Sequence, residues 1–446
     1  MIQIALLLFG AGFVRSKAYL LTLAGLLWSL LGVAIFIDGL DGVRYFPVTL
    51  FGMLLLVESI ITLGVASSGI GAQKAVLYFK GGIFCFVALL ILSGGAVSNM
   101  LLAFLFGFSY FVAGMLQIAS SWVVQFPHWK LSLAGGFAHL AFALFLFLPY
   151  PTHYYGTISE FIGVTLLVGG LSTLRVSLRA RRLREGTSVF ELFAPGDLLA
   201  GAAAQDGKQL ATAGGPEPQD EAAAETQALT VHVWTPEGSS KNAPVPRPII
   251  NRYIAAVDTR GVISTGHAAL DAPPSTYISL YPAVDIDRSP SEFFRLLKAT
   301  QDNDVPGEFQ PDYATESAAW CPSTRQIQFH GYNRAGLARF WQAYRGKEIY
   351  NLTYRNCSST VAYALEAALD GILAERGRHW ARVLRTLFMP ELWIAAQVRK
   401  RAQNMAWTPG LVSDYARALR AIVHPSPLPW LRRLRQAASQ GVPGAD

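Results

Sequence analysis

Six apolar runs, near residues 18–37, 45–65, 76–94, 98–120, 131–149 and 156–175, fill most of the first 175 positions. Each approaches the roughly 20 residues that a helix needs to cross a bilayer core. The even-numbered runs resemble one another: FGMLLLVESIITL from Phe51, FGFSYFVAGMLQI from Phe106 and IGVTLLVGGLSTL from Ile162, each with glycine in second place (Gly52, Gly107, Gly163). The odd-numbered runs align on Gly25, Gly81 and Gly135 in LAGLLWSL, FKGGIFCF and LAGGFAHL. A period of about 55 residues predicts a helical hairpin repeated three times. Small residues at matching depths let helix backbones approach where lipid gives no hydrophobic drive for association.

The apolar stretch Ile2–Val14 is short for a span and lacks the basic start and small-residue cleavage site of a signal peptide, so it reads as an interfacial or partly inserted helix. Arg15 and Lys17 precede the first span, Lys74 and Lys130 fall in the even-numbered connections, and Arg175, Arg179, Arg181, Arg182 and Arg184 follow the sixth. The opposite loops offer only Arg44, beside Asp38 and Asp41. The positive-inside tendency therefore predicts cytoplasmic termini and a cytosolic C-terminal domain. Glu58, Lys80 and His139 lie within the runs. They read as a snorkelling lysine and two polar groups satisfied inside the bundle, by each other or by carbonyls, rather than as a proton path.

The expected fold is thus a membrane all-α bundle of six transmembrane helices over 1–184, followed by an α+β domain. Residues 185–229 are rich in Ala, Gly, Gln and acids, which suits a flexible tether, with Val189–Phe193 as a short piece lying on the membrane. From Leu229, LTVHVWTP, RYIAAVD, GVISTGHAALDA, STYISLYPAVD and RQIQFHGYN read as strands. SPSEFFRLLKAT (capped by Ser289 or Ser291), RAGLARFWQAYRG and CSSTVAYALEAALDGIL read as helices. These elements place the α+β domain over 230–375. Residues 376–446 interleave basic and aromatic residues at helical spacing, as in one or two amphipathic helices on an anionic leaflet.

Composition narrows the function classes. Of 446 residues, 52% are hydrophobic and 15% charged, and the net charge of +7 concentrates after the last span and in the tail, where a membrane surface is a simpler partner than nucleic acid. Phosphate-loop, dinucleotide and zinc-protease patterns are absent, so no nucleotide cofactor and no metal are expected. Three cysteines, one of them (Cys85) inside an apolar run, do not make a disulfide framework.

Two residue types carry candidate chemistry. In YRNCSSTVAYAL, Asn356 suits an N-cap, which puts Cys357 in the first helical turn against the positive end of the helix dipole. That position lowers a thiol pKa and offers backbone N–H groups to an oxyanion. The base that a nucleophilic thiol requires is His267 in TGHAAL or His330 in QFHGYN, and local pattern does not separate them. Cys321, in AWCPST, lacks a helix start and reads as structural.

Two resemblances add to this reading. The repeated hairpins of residues 15–185 resemble the HdeD family of six-span bacterial inner-membrane proteins, which implies a bacterial inner-membrane location and a link to acid or envelope stress. GHAAL, TYISLYP and, about 90 residues after the first, NCSSTVAYAL resemble the circularly permuted branch of papain-like NlpC-type cysteine enzymes, which includes lecithin–retinol acyltransferase. That resemblance spans about 255–370 and implies a permuted papain-like fold, with His267 as base and Cys357 as nucleophile. A third polar group on the following strand usually orients the histidine; among Tyr277, Ser279 and Tyr281, the choice is Ser279. The acyltransferase members carry a second histidine there, and this chain has none. The expected activity is a membrane-anchored cysteine hydrolase, an amidase or peptidase or an acyl-transfer enzyme, acting on a lipid-linked or membrane-protein substrate. The competing expectation is a non-enzymatic stress protein whose soluble domain binds a partner.

Overall fold

The computed structural model describes residues 1–42, 45–66, 72–183, 187–194, 227–235, 256–257, 263–284, 286 and 293–425. Most of the expected tether (185–186 and 195–226), the cap at Ser289 or Ser291 and the last 21 residues of the tail lie outside the described residues. Six helices among them are long and apolar enough to cross a membrane: α1 (Ile2–Leu40), α2 (Val48–Ala66), α3 (Ala72–Ser93), α4 (Ala96–Val124), α5 (Trp129–Phe147) and α6 (Thr157–Ala180). The chain divides into two compact units. Leu23–Gly114 and Ala138–Leu174 form one; Met1–Thr22, Met115–Phe137 and the described residues of Arg175–Val423 form the other.

In the first unit the repeated glycines sit at close helix crossings. Gly52 of α2 faces Ile91 and Leu92 of α3, Gly81 of α3 faces Leu63 of α2, Gly107 of α4 faces Phe147 of α5, and Gly25 and Gly163 lie at the α1–α6 crossing against Leu174 and Phe36. The glycine pairs therefore join the second helix of one hairpin to the first helix of the next, with α6 returning to α1. Stacked Phe106 and Phe161 and buried Ile35, Val87, Leu102 and Ile158 fill the interior. Lys80 pairs with Glu58, which also accepts a hydrogen bond from Thr62. The partner of Glu58 is thus the lysine, and His139 packs against Tyr110 instead.

In the second unit a four-stranded antiparallel sheet runs in the order β5-β4-β1-β8, from β1 (Leu229–Trp234), β4 (His267–Ala272), β5 (Thr276–Ile278) and β8 (Arg325–Phe329). A second sheet, β6-β7-β9, joins Leu280–Pro282, Val305–Phe309 and Ile349–Tyr350. The short ladder of β2 (Ala256–Val257) and β3 (Ile263–Ser264) precedes β4. The strand expected over STYISLYP breaks at Ser279, so its halves enter different sheets.

Among the described residues this unit has eight further helices: α7 (Val189–Phe193), α8 (Phe293–Leu296), α9 (Tyr313–Ala319), α10 (Arg334–Arg345), α11 (Cys357–Leu369), α12 (Trp380–Leu387), α13 (Pro390–Asn404) and α14 (Pro409–Val423). α11 is buried along its whole length, packed on β4, α10 and α14. α14 also packs on β1 and β8.

Three expected membrane-surface pieces belong to this core instead. Val189, Phe190 and Phe193 of α7 are buried, and the Phe190 N–H donates to Asp370 at the end of α11. Most of α14 is buried, and α13 is tied to α11 by Arg399, which donates to both oxygens of Glu366 at 2.7 and 2.9 Å. Tyr415 of α14 donates to the same carboxylate. Finally, residues 4–9 are buried rather than interfacial. The carbonyls of Leu7 and Leu8 accept hydrogen bonds from the N–H groups of Gly371 and Leu373, and Gln3 accepts one from Arg399. The chain turns at Gly10 (φ +78°), where a Cβ would lie 2.7 Å from the Cα of Gly371, so only glycine fits that contact. In each case the apolar stripe is satisfied by protein, which periodicity alone cannot tell from lipid.

Candidate active site

The cysteine helix begins with a double cap. Asn356 Oδ1 accepts the N–H of Ser359 at 2.8 Å, and the Ser359 hydroxyl accepts the N–H of Asn356 at 2.9 Å. The Asn356 amide also donates to the carbonyls of Leu352 (2.7 Å) and Trp407 (3.0 Å), which fixes the helix start against the loop before α14. Arg355, buried beside it, donates to the carbonyls of Tyr344, Lys347 and Ile349, and its guanidinium lies over the Tyr344 ring. The polar residues flanking Cys357 thus brace the turn.

Cys357 is 7% exposed and His267, at the start of β4, 3%. The two side chains lie close enough for each to favour the charged form of the other. His267 Nε2 lies 2.8 Å from Ser279 Oγ and 3.1 Å from Glu316 Oε1. The imidazole stacks on Tyr281, with centroids 4.2 Å apart, and Trp234 covers it at 5.4 Å. Glu316 is on α9, whose N-cap Asp312 accepts the N–H of Thr315. Its carboxylate also accepts the hydroxyl protons of Tyr277 and of Tyr281, the latter at 2.7 Å.

Electrostatics follow from this arrangement. Burial opposes a charged imidazole, but the Cys357 sulfur and the Glu316 carboxylate outweigh it and push the His267 pKa up to about 9. Burial likewise opposes a thiolate, yet His267, the Ser358 hydroxyl and the Ala268 N–H bring the Cys357 pKa below its ordinary value. Burial also disfavours the Glu316 carboxylate, but His267 and the two tyrosine hydroxyls hold its pKa down to about 2. Along the row of sulfur, imidazole and carboxylate, each group favours the charged form of its neighbour.

The structure therefore brings Cys357, His267 and Ser279 together. Glu316 joins them, and no sequence motif singled it out; the one local signal is the cap residue Asp312 opening a short helix. His330 is exposed at the end of β8, two strands away from β4. His232 stacks on Tyr313 and contacts Ser323, and burial takes its pKa down to about 4. Cys321 packs against the Trp234 cluster, and its carbonyl accepts the Trp234 indole N–H. Among the described residues no cluster of His, Cys, Asp and Glu has the makings of a metal site. No family model, curated protein or solved structure matches the chain.

Proposed function

We propose that this multi-pass membrane protein is a cysteine hydrolase whose nucleophile is Cys357. The observation that carries the reading is a buried thiol at a helix start that interacts with a buried imidazole, itself held by a carboxylate. A merely structural buried cysteine needs none of these partners.

In this mechanism the Cys357 thiolate attacks the carbonyl carbon of an amide, ester or thioester. The tetrahedral oxyanion is held by the Cys357 N–H at the positive end of α11. Collapse breaks the bond to the leaving group, which takes the proton from the His267 imidazolium. Neutral His267 then removes a proton from water as its oxygen attacks the thioester, and expulsion of the thiolate releases the acid. A different acyl acceptor in place of water makes the same site an acyltransferase. Glu316 keeps the imidazole charged and oriented, and Ser279 completes the contacts to Nε2.

The order of histidine strand before cysteine helix supports kinship with the permuted papain-like enzymes, and the glycine-paired hairpins support kinship with the HdeD family. By the loop charges the termini and the catalytic unit face the cytoplasm of a bacterial inner membrane, which favours a lipid-linked or membrane-protein substrate over cell wall. A thiol-directed activity probe tests the enzyme reading. The purified chain is expected to label at Cys357 and the Cys357→Ala chain to lose that label, Cys85 and Cys321 remaining slow. Equal labelling of both chains would instead favour a binding module.

A further inference from the structure

Of the basic C-terminal segment, α13 and α14 are built into the core, but α12 keeps an apolar stripe turned outward. Trp380, Leu384 and Phe388, spaced by four residues, are 52%, 50% and 80% exposed. At about 100° per residue they share one side of the helix. Val383 and Thr386 face the protein and are buried, while Arg382 and Arg385 are exposed on the remaining side. A stripe of three large apolar groups beside two guanidinium groups does not suit water.

What covers it is indicated by Lys17. Its ammonium sits 5.4 Å from the centre of the Trp380 ring. In sequence Lys17 comes immediately before the apolar run that begins at Ala18, so its charge marks the level at which α1 leaves water. Trp380 is therefore at interfacial depth, where an indole with a cation on its face is most at home.

We infer that α12 lies in the headgroup layer of the membrane that holds the spans. Trp380, Leu384 and Phe388 dip into the acyl boundary, and Lys17 and Arg385 meet anionic phospholipid headgroups.

Nitroxide accessibility tests this on the full chain, with Cys85, Cys321 and Cys357 replaced by alanine and one label introduced by Leu384→Cys, Phe388→Cys or Arg382→Cys. The labelled chains are reconstituted in phosphatidylcholine–phosphatidylglycerol vesicles. Labels at 384 and 388 are expected to collide several-fold more with oxygen than with a water-soluble nickel chelate, and the label at 382 to show the reverse. Nickel access at 384 and 388 equal to that at 382 would overturn the inference. So would exclusion of both reagents, which marks a protein partner or a second copy on the stripe. A second measurement leaves the cysteines intact: Trp380→Phe is expected to remove a tryptophan emission component that brominated phospholipid quenches. If the lost component is quenched by aqueous iodide instead, the helix is in water.

Discussion

Replacing Glu316 by glutamine keeps the size of the side chain and an oxygen for the His267 N–H but removes the charge. At 3.1 Å from Nε2, and with an effective dielectric constant near 20, the lost attraction is at most about 5 kcal/mol. The rise of the His267 pKa from 6.5 to about 9 corresponds to about 3 kcal/mol net of burial, and Cys357 acts ahead of Glu316 in producing it. Glu316→Gln is therefore expected to lower the His267 pKa by about one to two units. Because the imidazolium is what depresses the thiol pKa, the thiolate fraction falls with it. The assay is the pH dependence of iodoacetamide alkylation at Cys357, followed by peptide mass spectrometry so that Cys85 and Cys321 are counted separately. The expected result is a rate at neutral pH lowered by about tenfold or more, the thiolate limb moving to higher pH. Ser279→Ala, which removes no charge, is expected to move the limb less. An unchanged profile in a folded Glu316→Gln chain would refute the assignment of Glu316 as the group that keeps His267 charged.

Other consequences are as direct. Asn356→Asp retains the cap oxygen but turns two donors toward the carbonyls of Leu352 and Trp407 into repulsion, and is expected to cost about 1–3 kcal/mol in denaturant unfolding while slowing Cys357 alkylation. Arg399→Met leaves the Glu366 carboxylate buried without its cation, the Tyr415 hydroxyl still donating to it, and should destabilise the C-terminal unit by about 3–5 kcal/mol in thermal unfolding. Gly32→Val places a Cβ 2.5 Å from the Leu167 N–H nitrogen, and should open the α1–α6 crossing to protease in detergent. The stability contributed by charged His267 is fully present below pH 6.5 and is lost as pH rises through about 9. That of Glu316 is present above pH 4.5 and is lost as pH falls through about 2. Melting temperature is accordingly expected to decline at both ends of that window.

The spans were legible because a lipid-facing helix must be apolar along some 20 residues, and the glycine register was legible because close crossings admit no side chain. The cysteine was legible from a cap residue, whereas local pattern left His267 and His330 equal and only the resemblance to the permuted papain-like enzymes chose between them. What was not legible depends on what covers an apolar stripe. Ile4–Phe9, Val189–Phe193 and Val412–Val423 have the composition of surface membrane helices, yet each is largely buried by protein. Glu316 was missed because α9 spans only Tyr313–Ala319 and its glutamate finds His267, Tyr277 and Tyr281 through tertiary contact alone. Ser279 came from its strand face, and that face ends where the strand changes sheets.

The most direct test of the account is to trap the covalent intermediate. The full chain is mixed with an activated acyl ester, quenched in acid and mapped by mass spectrometry. The account predicts an acyl adduct on Cys357 that hydroxylamine removes and that His267→Ala forms far more slowly. Acylation confined to Cys85 or Cys321, or none on a folded chain, would contradict it.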